Sequence, residues 1–84
     1  MIIELLNIND IPVWISIEQL RVYSPTTNLI ETKNEFLCYY KLTEPTPFVL
    51  GELFLDSNRT PKIFDSVANA IEYARTELAR RQNK

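Results

Sequence analysis

The most regular pattern in the chain lies near its end. Val67, Ala70, Ile71, Ala74 and Leu78 recur at helical spacing, with Asn69, Glu72, Thr76 and Arg80 opposite them. This spacing predicts an amphipathic helix over about 66–81. Asp65-Ser66 are favoured N-cap residues, and Glu77 precedes Arg81 by four positions, the favourable order for a helical ion pair. No glycine or proline interrupts 67–81. The residues beyond, 82–84, are expected to form a frayed tail.

Upstream the period shortens to two. Ile2 to Leu6 is apolar, and Val13, Ile15 and Ile17 alternate with Trp14 and Ser16, which predicts a hairpin of strands 2–6 and 13–17. Asn7-Ile8-Asn9-Asp10 supplies turn-forming residues, so the connection reads as somewhat longer than the commonest hairpin loop. After Ile17 the phase changes: Leu20 and Val22 are apolar, while Glu18, Gln19 and Arg21 are polar. A bulge near 16–19 followed by strand 20–24 accounts for the shift. The competing reading is a short helix over 17–23, opened by the capping-box pattern Ser16-x-x-Gln19 and stopped by Pro25; seven residues make a marginal helix.

Ser24 to Asn28 reads as a loop, 29–32 as extended, and Lys33-Asn34 as a turn. Strands 36–42 and 48–55 then flank a proline-stiffened loop, Thr43-Glu44-Pro45-Thr46-Pro47. Strands followed by one helix define an α+β class: a single domain over 1–84, mainly antiparallel sheet of about five strands, with the C-terminal helix packed on it.

That last hairpin is apolar on both sides. Pairing Leu42 with Phe48 places Phe36, Cys38, Tyr40, Leu42, Phe48, Leu50, Glu52 and Phe54 on one face, the better candidate for the core beneath the helix. The other face carries Leu37, Tyr39, Lys41, Val49, Gly51, Leu53 and Leu55. One helix covers one face. The second face needs either the N-terminal strands folded across it as a small sandwich or a separate protein surface, and a partner is favoured because the chain is too short for two thick cores. The candidate partner-binding residues are therefore Leu37, Tyr39, Lys41, Val49, Leu53 and Leu55. Trp14 is read as core, although it joins Tyr23, Tyr39 and Tyr40 among side chains of the type that anchor interfaces. Tyr73 is expected at the border of the helical stripe, its hydroxyl in water.

Composition narrows the chemistry. The net charge is −2 and the pI about 5.0, so no global field draws nucleic acid or anionic lipid. Acidic residues gather in the first 35 positions and basic ones near the end, where Arg75, Arg80 and Arg81 complement a helix C-terminus. One cysteine, Cys38, precludes an intrachain disulfide and suits a reducing compartment, the cytoplasm. The N-terminus lacks the basic region and cleavage site of a signal peptide, and no apolar run approaches the ~20 residues of a membrane span.

The chain has no histidine, the commonest general base and metal ligand. With a single cysteine this removes the ordinary structural zinc sites. The single glycine, Gly51, is too little for a phosphate-binding or dinucleotide loop; in its strand it marks a bulge or a close backbone approach. Cys38 reads as a small buried hydrophobe. Glu52, with Glu44 and Asp56 nearby in sequence, reads as an edge-strand charge rather than as half of a catalytic carboxylate pair.

No cofactor, metal or small-molecule substrate is inferred. The expectation is a non-enzymatic protein-interaction module, a regulator, inhibitor or assembly factor, that forms a homodimer or docks on a larger protein through its apolar sheet face. The alternative is a single-stranded nucleic-acid binder. It would use Tyr39, Tyr40, Lys41, Arg59 and Lys62 with the helix arginines Arg75, Arg80 and Arg81.

Overall fold

A computed structural model describes residues 1–82. Four strands and one helix follow in order: β1 (Ile2–Ile8), β2 (Ile11–Ser24), β3 (Leu29–Lys41), β4 (Glu52–Leu53) and α1 (Val67–Gln82). The sheet is an antiparallel meander, β1-β2-β3-β4, with α1 packed on one side. The α+β class is as the pattern indicates. The strand count is four rather than about five, because segments separated in the sequence reading run on as single long strands.

β1 and β2 meet in a two-residue turn at Asn9-Asp10, tighter than the expected loop; Asn7 and Ile8 belong to the strand. Both turn residues have positive φ (50° and 69°), the geometry that matches the twist of the flanking strands. Asparagine and aspartate tolerate it because their short polar side chains bond locally. Ile8 and Ile11 flank the turn, so the next pair, Asn7 with Pro12, is a non-hydrogen-bonded one. The Pro12 nitrogen then points away from β1, and β3 begins pairing only at Trp14, so the missing N–H costs no ladder bond.

β2 is continuous over fourteen residues, which sets aside the short helix at 17–23. The phase change is real but lies slightly later: the register shifts between Gln19, paired with Phe36, and Arg21, paired with Thr32. Leu20 thus faces the three residues Lys33, Asn34 and Glu35. Lys33-Asn34 is the wider side of this bulge within β3, not a turn. The Gln19 amide bridges it by donating to the Lys33 carbonyl (2.8 Å). Beyond the bulge, 20–33 project as a two-stranded ribbon closed by Pro25–Asn28, and the molecule reaches 49 Å along its longest axis.

The last pairing also differs. Tyr40 pairs with Glu52 and Tyr39 with Leu53, two residues away from the register that a Leu42–Phe48 pair implies. The shift preserves which side each residue faces, but Phe48 and Leu50 lie outside β4. Thr46 and Val49 exchange backbone bonds across a tight turn (3.1 Å each way), and Phe48 at its tip is 95% exposed. Leu42 is exposed as well. Gly51 explains the break: its φ is +108°, and a Cβ there would lie 2.1 Å from the Tyr40 carbonyl oxygen. A strand containing any other residue would have to move away from β3 at this point. After β4 the chain loops through 56–60 and returns, and Phe64 exchanges two bonds of 2.9 Å with Phe36 beside β3.

The core lies between the sheet and α1. Leu6, Ile8, Val13, Ile15, Ile17, Cys38, Phe54 and Phe64 meet Ala70, Ala74 and Leu78 of the helix. Alanines on the buried stripe let the helix lie close to large sheet side chains. Ser66 caps α1, its Oγ accepting from the Asn69 N–H (3.1 Å). Arg80 and Arg81 both pair with Glu77 in the last turns. Tyr73 sits edge-on to Phe54 (centroids 5.5 Å apart), with the Lys62 ammonium 4.8 Å from its ring. The helix is described through Gln82, which the expected tail includes; 83 and 84, the rest of that tail, lie outside the described residues.

Candidate functional site

Among the described residues, the side of the sheet away from α1 has no second layer of regular structure. The ladder sorts its side chains into rows. Leu5, Trp14 and Lys41 form one row; Ile3, Ser16, Tyr39 and Leu53 form the next; Glu18 and Leu37 form a third. Alternate residues of a strand share a face, so successive rows stand ~7 Å apart. Ile3, Leu5 and Leu55 are about half exposed at the rim (45%, 54% and 46%). Trp14, Leu37, Tyr39, Lys41 and Leu53 are half-buried by their neighbours.

Of the six residues predicted from sequence, Leu37, Tyr39, Lys41 and Leu53 come together here. Leu55 continues their side of the chain just past β4, in a bridge to Pro61. Val49 does not join them: it belongs to the tight turn at 46–49, outside the sheet. The N-terminal strands do not roof this face. They extend the same sheet edge to edge and enlarge the face with Ile3, Leu5 and Trp14. Trp14 is therefore a half-buried member of the open face rather than of the core beneath α1. The missed residues carry a legible signal, since Ile2-Ile3 and Leu5-Leu6 are apolar in both phases of a two-residue period.

Two polar features mark this surface. Ser16, at its centre, is fully buried and its Oγ has no hydrogen-bond partner among the described residues; such a group costs ~1–3 kcal/mol. Glu18 and Lys41 stand at opposite corners, on neighbouring strands and two rows apart. Burial, with the Glu18 carboxylate adding to it, holds the Tyr39 phenol above the usual tyrosine range. The Lys41 ammonium donates to the Thr43 hydroxyl (2.7 Å).

Other chemistry-bearing groups lie elsewhere. On the helix side, the Tyr40 hydroxyl donates to Glu52 (2.5 Å) and accepts from Arg81 (2.9 Å). The Arg81 guanidinium also lies over the Tyr40 and Phe54 rings, at 5.5 and 5.6 Å. This chain of contacts accounts for Glu52, the one acid on its side of the hairpin, as a rim partner of Tyr40. Burial is the largest influence raising the Tyr40 phenol. Burial also pushes the Cys38 thiol up to about 12, so it is neither a nucleophile nor a thiolate ligand at neutral pH. Among the described residues, no group of three or more His, Cys, Asp or Glu side chains is placed to hold a metal. No helix among them is long and apolar enough to cross a membrane.

By fold and surface the described residues form a four-stranded meander with one covering helix and, on the reverse, a half-exposed and mainly apolar face. No protein-family model, curated protein or solved structure matches it.

Proposed function

We propose that this chain is a small non-enzymatic interaction module that binds another protein subunit, a second copy or a larger protein, through the open face of its sheet. The observation that carries this reading is the row geometry: Tyr39 and Leu53 share the central row with Ile3 and Ser16, Trp14 stands in the neighbouring row beside Leu5, and Ile3, Leu5 and Leu55 are about half exposed at the rim. An aromatic centre with an aliphatic rim is the composition of an interface core. Exposed apolar patches beyond a few hundred Å² mark interaction sites on soluble proteins. A buried thiol suits a reducing compartment, and the cytoplasm is the location that fits.

The nucleic-acid reading has less support. Arg80, Arg81 and Lys62 are engaged on the helix side with Glu77, Tyr40 and Tyr73, whereas Tyr39 and Lys41 lie on the opposite side. The rings and cations of that reading are therefore divided between the two sides, Tyr39 with Lys41 on one and Tyr40 with Arg81 on the other, rather than gathered on one platform as single-strand binding demands.

Multi-angle light scattering on the wild type and on Leu53→Asp tests the proposal. The wild type should run above its 9.8 kDa monomer mass, alone or with its partner. The variant should be a folded monomer that binds neither. A Leu53→Asp variant that associates as well as the wild type would refute the assignment of this face.

A further inference from the structure

Resting on the reading of the open face as an interface, we infer that its occupant is a second copy of this chain. The two sheets lie face to face about a two-fold axis that sets Glu18 of each subunit against Lys41 of the partner subunit. An apolar face that docks on itself must set any charge it carries against its opposite, because an ion brought into an interface without a counter-ion loses its hydration with nothing to offset the loss. Glu18 and Lys41 are the acid and the base of the three central rows, one of each sign. They are diagonal: Glu18 stands on β2 in the row of Leu37, and Lys41 on β3 in the row of Trp14. The midpoint of that diagonal falls on the Ser16–Tyr39 pair, the centre of the face.

A two-fold axis between two stacked sheets exchanges points reflected across it. An axis along the strands would lay Glu18 over Leu37, and an axis straight across them would lay Glu18 over Trp14. Only an axis through Ser16–Tyr39 and at right angles to the diagonal pairs the charges, and it pairs both at once, as a self-complementary interface requires. The strands of the two sheets then cross at a few tens of degrees, close to the ~30° of aligned sheet packing. Ser16 and Tyr39 then lie between two ion pairs, with Trp14 and Leu53 to either side. The ion pairs sit toward the rim, where charge fixes register and specificity more than it adds affinity.

Charge-swap sedimentation tests this. The wild type should be a dimer. Glu18→Lys and Lys41→Glu each place two like-charged pairs in the interface and should weaken dimerisation by about tenfold or more. Mixing the two single variants should restore a stable dimer, since each reversed residue then meets a reversed partner; the double variant should dimerise for the same reason. If a reversal fails to fold by circular dichroism, Glu18→Gln and Lys41→Met take its place and should flatten the salt dependence of the dimer constant. A wild type that stays monomeric at submillimolar concentration overturns the inference. So does a dimer indifferent to both reversals: if Leu53→Asp still dissociates it, the face remains the interface and only this two-fold arrangement falls, and if Leu53→Asp does not, the assignment of the face falls too.

Discussion

The two faces of this sheet are made from alternate residues of the same strands, and both are rich in large apolar side chains. Beneath α1, Ile15, Cys38 and Phe54 are sealed from solvent, because Ala70 and Ala74 let a helix settle directly on them. On the reverse, Trp14, Tyr39 and Leu53 are only half-buried, and Ile3 and Leu5 stay about half exposed. A strand that is apolar in both phases asks for two covers. The described residues supply one, so on the proposed reading residues of similar chemistry serve folding on one side and association on the other.

If that division is right, substitutions should separate cleanly by side. Phe54→Ala should cost the most, ~3–5 kcal/mol in denaturant unfolding, because the ring is fully enclosed and packs on Tyr40 and Tyr73. A loss under ~1 kcal/mol would mean that the helix side is not the core. The next effect reads on Cys38. Its thiol ionises near 9.0 in an open chain and only at about 12 in the fold. Across that window the unfolded chain gives up a proton that the folded chain keeps, so this contribution is intact below 9.0 and fades as pH rises toward 12. The wild type should therefore lose stability faster than Cys38→Ala over that range in urea titrations, and parallel curves would show that the thiol is not enclosed. The smallest change belongs to the open face. Ser16→Ala removes a buried hydroxyl without a partner and should leave stability unchanged or raise it by up to ~1 kcal/mol. A larger loss would mean that the hydroxyl is bonded in solution, and the bare face is then the place to look for its partner.

Much of this architecture is legible in the residues. The helix is, because Val67 to Leu78 keeps a 3.6-residue period behind a Ser66 cap. The division of β3 and β4 into two sides is too, since parity survives a two-residue error in register. The strand count is not. Lys33-Asn34 has turn chemistry, yet the residues on either side pair with one continuous partner strand, so the pair is absorbed as a bulge. The register of the last hairpin is hidden for another reason: it depends on the positive φ at Gly51 and on the turn at 46–49, which cut β4 short and turn Phe48 outward. The place of β1 is hidden as well, because the alternation of Ile2 to Ile8 is the same whether that strand lies beside the sheet or across it.

The meander order carries a kinetic consequence. Every strand finds its partner in the segment just before it, and the first link is a turn of only two residues. Little chain entropy is lost before each pairing begins to be rewarded. The sheet should therefore zip in sequence, outward from Asn9-Asp10, faster than all-β domains whose strands pair across long separations. A refolding rate on the scale of those slower topologies would place the bottleneck in the docking of α1.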